Sequence, residues 1–120
     1  QSCDSDYDVL PDLENRDQSY VLLENGVEDS DGDLENKWYC VKDWNMPNDP
    51  TNLKIGSCGT NNPVWMHGTV PNVEDGVVTR TVCMMFDDSL CSAWTTVEVR
   101  NCGKHMIYKL GSLKIGRYCF

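Results

Sequence analysis

Cys58-Gly-Thr-Asn-Asn-Pro-Val-Trp-Met-His-Gly-Thr-Val-Pro-Asn-Val-Glu-Asp-Gly-Val-Val-Thr-Arg-Thr-Val-Cys83 is the stretch on which the reading of the fold turns. Between its two cysteines lie two prolines, three glycines and a lone tryptophan. Pro63 and Pro71 fix φ and lack an amide hydrogen, while Gly59, Gly68 and Gly76 admit backbone angles that other residues avoid. That density of special residues is incompatible with a helix. Val64-Trp65-Met66 reads as a short extended segment. From Val77 to Cys83, Val78, Arg80 and Val82 alternate with Val77, Thr79 and Thr81, the two-residue period of a strand.

Outward from this stretch the same period recurs. Downstream, Thr95 to Arg100 places Val97 and Val99 on one face. His105 to Leu110 sets Met106, Tyr108 and Leu110 against Ile107 and Lys109. Cys102-Gly103-Lys104 between them reads as a tight turn, so the two runs form a hairpin. Upstream, Lys37 to Trp44 reads as a strand bringing Trp38, Tyr39 and Trp44 towards the core. Tyr20 to Leu23 reads as a further strand ending at the turn pair Asn25-Gly26, and Leu53 to Ile55 as a short one. Pro11 opens a short helical turn. Asn45 to Asn52 is a loop dense in Asn, Asp and Pro. Met84-Met85-Phe86, within the Cys83 to Cys91 loop, either plugs the core or forms an exposed contact patch; burial is the favoured reading. The expected class is mainly β: one small disulfide-stapled, β-sandwich-like domain over residues 1–120, with short irregular or helical segments.

Seven cysteines in 120 residues imply disulfides and an oxidising, extracellular compartment. A zinc site needs C-x-x-C pairs, and the chain has none. The odd count leaves at least one cysteine without an intrachain partner. The net charge of −9 repels nucleic acid and anionic membrane surfaces. No apolar run is long enough to cross a membrane. Gln1-Ser2-Cys3-Asp4 lacks the basic and apolar regions of a secretory signal, as expected of a mature chain cut before Gln1.

The most acidic segment is Glu28 to Glu35. Asp29, Asp31, Asp33 and Glu35 are its candidate calcium ligands, since hard cations gather carboxylates. Gly32 is misplaced for an EF-hand loop, and a solvated acidic loop is the simpler reading. No catalytic motif is present: there is no G-x-S-x-G, H-E-x-x-H or P-loop, so no enzyme is expected.

The frame P-x-W-x-x-G-x-x-P-x-x-x-x-G-x-V-x-R-x-x-C, carried by Pro63, Trp65, Gly68, Pro71, Gly76, Val78, Arg80 and Cys83, resembles the D8C domain of uromodulin and related secreted proteins. Cys3, Tyr7, Leu10, the Trp38-Tyr39 pair, the run before Cys102, Tyr108-Lys109-Leu110 and Tyr118-Cys119 fit as well. Residues 16–37 match poorly, and Asn15-Arg16 stands where the family has a Trp-Arg pair. Six cysteines hold family positions, and the resemblance implies the pairs Cys3–Cys102, Cys58–Cys119 and Cys83–Cys91. The other four family cysteines, near Ser30, Asn52, Leu90 and Lys114, are missing here and in the family pair with one another. Cys40 has no family counterpart and reads either as a buried free thiol or as the bridge of a covalent homodimer, with Lys37 and Lys42 placed to lower its pKa if exposed. The family's glycan-presenting role does not carry over, because the chain holds no N-x-S/T sequon and His67 stands at the glycan-bearing position.

The expected function is therefore a secreted, disulfide-rich binding protein that recognises an extracellular protein or glycan through surface loops. Trp44, Asn48 and Asn52, with Met84, Met85 and Phe86, are the candidate contacts. The alternative is a structural or matrix component, calcium-responsive and covalently dimeric through Cys40.

Overall fold

A computed structural model describes every residue except 1, 2, 5, 6, 12, 23–25, 27–29, 43, 87 and 88. Among the described residues seven strands form one sheet: β1 (Asp8–Val9), β2 (Lys37–Val41), β3 (Pro63–His67), β4 (Val77–Phe86), β5 (Ser89–Asn101), β6 (Met106–Leu110) and β7 (Arg117–Tyr118). Their order is β1-β2-β6-β5-β4-β3-β7. β1 joins β2 and β7 joins β3 in parallel; the other neighbours are antiparallel.

The sheet curls over its own inner face. Tyr39 and Val41 of β2, Val64 and Met66 of β3, Val82 of β4, Val97 and Val99 of β5, Tyr108 and Leu110 of β6 and Tyr118 of β7 all belong to one buried cluster. The sandwich-like enclosure thus comes from a single sheet folded round its core. Alternation produces this directly, because residues two apart on each strand share a face. Burial pushes the phenols of Tyr108 and Tyr118 up to about 12. The Tyr108 hydroxyl accepts the Met46 amide at 3.1 Å, and that of Tyr118 donates to the Gly111 carbonyl at 2.9 Å.

The outer face carries a second, smaller cluster of Leu53, Cys58, Trp65, Cys83, Met85 and Cys119. At its centre Cys58 is bonded to Cys119 across 61 residues. Cys3 is bonded to Cys102 across 99 residues, tying the N-terminal segment to the β5–β6 turn. Cys83 and Cys91 bridge the β4–β5 hairpin. Cys58 adopts φ +61°, an uncommon left-handed value for a non-glycine residue. Its amide donates to the Tyr20 carbonyl at 2.8 Å, and its carbonyl accepts from Arg117 Nη1 at 3.3 Å. Gly116, at φ +95°, passes so close to the Asn62 carbonyl that a Cβ would sit 2.6 Å from it.

The poorly matching N-terminal region is fastened by an ion pair. Arg16, at the end of a 3-10 turn over Leu13–Arg16, is 2% exposed, and Asp31 is 3% exposed. Arg16 Nη2 and Nη1 reach the two Asp31 oxygens at 2.7 and 2.9 Å. Arg16 also donates to the carbonyls of Pro11 and Tyr118, while Asp31 Oδ2 accepts the Tyr118 amide at 2.8 Å. One fork-to-fork pair therefore joins the N-terminal turn, the acidic segment and β7.

Several sequence expectations change. Tyr20 to Leu22 is not a strand; it makes one isolated bridge, Val21 to Ser57, and Leu23 and Asn25 lie outside the described residues. Leu53 to Ile55 leaves the 3-10 turn over Pro50–Asn52 and enters another turn, with no strand partner among the described residues. Met84 to Phe86 is not a loop but the end of β4, and β5 begins at Ser89.

Candidate binding surface

The register fixes what shares the outer face. Trp65 of β3 lies opposite Cys83 of β4, which lies opposite Trp94 of β5. The next row is His67, Thr81 and Thr96. Val64, Met66, Val82, Met84 and Val97 occupy the inner face, so alternation sends this set outwards. Trp65 is sunk beside Leu53, Met85 and the Cys58–Cys119 bridge, and its Nε1 donates to the Leu90 carbonyl at 2.8 Å. Trp94 is 69% exposed. Between them lies a cleft of about 320 Å³ lined by His67, Thr81, Cys83, Cys91 and Trp94. The His67 ring rests edge-on to Trp65 at 5.8 Å, which fixes one wall. The opposite wall is the open indole of Trp94. Among the described residues, no Asp, Glu, Lys or Arg side chain lines the cleft.

The sequence candidates fall elsewhere. Trp44 is half-buried and packs against the inner core. It shares a cleft of about 350 Å³ with Asn48, Met46, Pro47 and Phe120. Asn52 does not line it; it ends the 3-10 turn whose N-cap, Asp49, accepts the Thr51 amide at 3.0 Å. Hydrogen bonds from Thr51 hold the Asp49 carboxyl below the usual range. Met84 and Met85 are buried on opposite faces of the sheet and Phe86 is half-buried, so these three form no contact patch.

The acidic segment does not gather into a metal centre among the described residues. Asp31 is committed to Arg16, Glu35 pairs with Lys37 at 3.2 Å, Asp33 is exposed, and Asp29 lies outside the described residues. Lys37 also pairs with Asp8, and these hydrogen bonds, that to Asp8 first, raise its pKa. Cys40 is a free thiol, half-buried on β2 on the face opposite Tyr39 and Val41. Burial pushes its thiol up and outweighs Lys42, which still lowers it; the lowering expected of an exposed thiol does not apply to this half-buried one.

Sequence reasoning missed Trp94. The signal was present: carrying the Val97 and Val99 alternation back past Thr95 puts Trp94 on the solvent side.

The sequence model of the family described as "Uromodulin-like, D8C domain" matches residues 38–120. The dog (Canis lupus familiaris) pancreatic secretory granule membrane major glycoprotein GP2 is 32% identical over 114 residues, covering 85% of this chain and 22% of the relative. The mouse (Mus musculus) GP2 is 30% identical over 119 residues, covering 93% and 21%. Mouse uromodulin is 37% identical over 61 residues, half of this chain and 10% of that protein. The chain thus spans about a fifth of the length of the GP2 relatives it matches.

Proposed function

The chain belongs to the uromodulin-like D8C family, and from that membership we propose that it works outside the cell as a disulfide-stapled binding module that contacts a neutral glycan and catalyses nothing. The observation that carries the reading is the exposed Trp94 indole beside a cleft with no Asp, Glu, Lys or Arg among its described lining residues. An indole leaves its apolar face in water at a cost that a ligand removes. A pyranose ring has an apolar C–H face to lay on Trp94 and hydroxyls to meet His67 and Thr81 across the cleft. A cleft with no carboxylate among its described lining residues suits a neutral sugar better than a cation or a basic peptide. Bridges of this number belong to oxidising compartments, and the GP2 relatives are named as secretory granule membrane glycoproteins.

The alternative of a calcium-responsive matrix component cross-linked through Cys40 has less support. Asp31 is held by Arg16, and the half-buried Cys40 thiol is a reluctant nucleophile at neutral pH.

On an array of neutral glycans, Trp94→Ala should lower affinity by about three- to tenfold, the worth of one aromatic stack. Trp44→Ala should leave it unchanged. Binding that is indifferent to Trp94, or a wild-type chain that holds no neutral glycan, would remove this assignment.

A further inference from the structure

A second cleft adjoins the one at Trp94. On β5, Trp94, Thr96 and Glu98 alternate outwards, since Val97 and Val99 belong to the inner core. On β4, Thr81 lies opposite Thr96, and Thr79 lies opposite Glu98. Thr81 lines the Trp94 cleft. Thr96, Thr79 and Glu98 line the next, a hollow of about 430 Å³ that also takes in Asn36, Lys109 and Ser112. Directly opposed residues stand about 5 Å apart at Cβ, so the two clefts meet at the Thr81–Thr96 pair. The hollow forms where the β5–β6 ladder ends: β6 pairs no further along β5 than Lys109 with Glu98, and Gly111 and Ser112 line the gap that follows.

The two clefts differ in chemistry. The first offers the apolar ring of Trp94. The second offers polar groups that the protein itself leaves unused: among the described residues, the side chains of Asn36, Thr79, Thr96 and Ser112 make no hydrogen bond to another residue. Glu98 and Lys109 face each other across β5 and β6 with Oε2 and Nζ 3.9 Å apart, both side chains half exposed. An exposed pair at that separation holds its own partner weakly, so both groups stay open to a ligand. The carboxylate accepts, the ammonium donates, and together they add no net charge. A carboxylate, an ammonium, an amide and three hydroxyls on one concave patch match a ring bearing several hydroxyls, each of them donor and acceptor at once.

We propose that this hollow is a second sugar subsite, and that the ligand is a neutral oligosaccharide of at least two rings. The inference rests on the glycan reading of the Trp94 cleft and extends it. One ring stacks on Trp94; the next passes the Thr81–Thr96 pair and hydrogen-bonds to Asn36, Glu98 and Lys109. Trp94 and Glu98 are four residues apart on β5, about 13 Å at the rise of a strand, a span that one pyranose leaves half empty and about two or three linked rings fill. Stacking alone reads no hydroxyl pattern. A set of placed donors and acceptors does, because a ring whose hydroxyls point elsewhere leaves those groups unpaired. Trp94 thus supplies affinity, and the second hollow supplies selectivity.

The test is calorimetric titration with neutral hexoses and N-acetylhexosamines, each beside its own di- and trisaccharides. The oligosaccharide should bind about tenfold or more tighter than its monosaccharide. Glu98→Ala should cut that ratio by about three- to tenfold. The Glu98–Lys109 pair is half exposed, so the circular dichroism and the three bridges should survive its loss. Should that variant misfold, Asn36→Ala, on a separate segment, should cut the ratio in the same direction. Trp94→Ala should weaken monosaccharide and oligosaccharide alike, as separate subsites require. A monosaccharide held as tightly as its oligosaccharides, or a ratio unmoved by both Glu98→Ala and Asn36→Ala, would overturn the second subsite and leave the Trp94 reading standing. If no neutral sugar binds at all, both fall.

Discussion

Replacing Cys58 and Cys119 together with alanine is expected to lower the unfolding free energy by about 4 kcal/mol, from the entropy that a 61-residue loop restores to the unfolded chain. The same change at Cys83 and Cys91 should cost only about 2–3 kcal/mol, because that loop spans 8 residues. The contrast is the informative part. Both Cys58 and Cys119 are fully buried at the centre of the outer cluster, with Trp65, Leu53 and Met85 packed round them. Losing their bridge loosens the only packed group on that side of the sheet among the described residues, so the measured cost should meet or exceed the entropic figure. Urea unfolding of the two double variants checks this. Equal costs would mean that the bridges act through something other than loop closure.

Asp31→Ala is the second large effect. It strands the Arg16 guanidinium in a site where both partners are nearly sealed from water. Breaking one side of a buried pair costs about 3–5 kcal/mol. For a domain of this size that is a fall in Tm of roughly 10–20 °C. Arg16→Met combined with Asp31→Leu should recover most of the loss, since two apolar side chains of similar bulk need no partner. Recovery will be incomplete, because the Tyr118 amide, now bonded to Asp31 Oδ2, loses its acceptor. A cycle of the two single variants and the double variant by urea unfolding gives the coupling. Additive losses, with no coupling, would show that the pair does not act as a unit.

The parts of the fold that were legible in the sequence are those where a local pattern is enough. β3, β4, the second half of β5, β6 and the turn at Cys102 to Lys104 follow from strict alternation and from prolines and glycines that admit few backbones. Met84-Met85 misled because consecutive apolar residues look like a loop plug. On this strand one side chain enters the inner core and the next the outer cluster, so a two-faced burial replaces alternation. Tyr20 to Leu22 shows the reverse error: strand-forming residues whose only ladder contact is a bridge to Ser57. Arg16 and Asp31 were unreadable for a different reason. Arg16 lies between the exposed Glu14 and the half-buried Asp17, and Asp31 precedes the exposed Asp33; what holds the pair is the distant β7 segment, a fact of tertiary placement alone. For the candidate surface, Trp44 drew the reading because it adjoins an amide-rich loop, but the core takes it. Trp94 is the indole left in water, because β6 stops pairing with β5 at Glu98 and the strand runs on uncovered.

The central claim is that covalent bridges hold a modest β scaffold in shape for contact outside the cell. Its most direct measurement is a thiol titration of the native chain with far-ultraviolet circular dichroism followed before and after reduction. The account predicts one titratable thiol, Cys40, slow to react until the chain is unfolded, and loss of the β signal once the three bridges are reduced. Seven reactive thiols in the native chain, with the β signal unchanged in strong reductant, would contradict it.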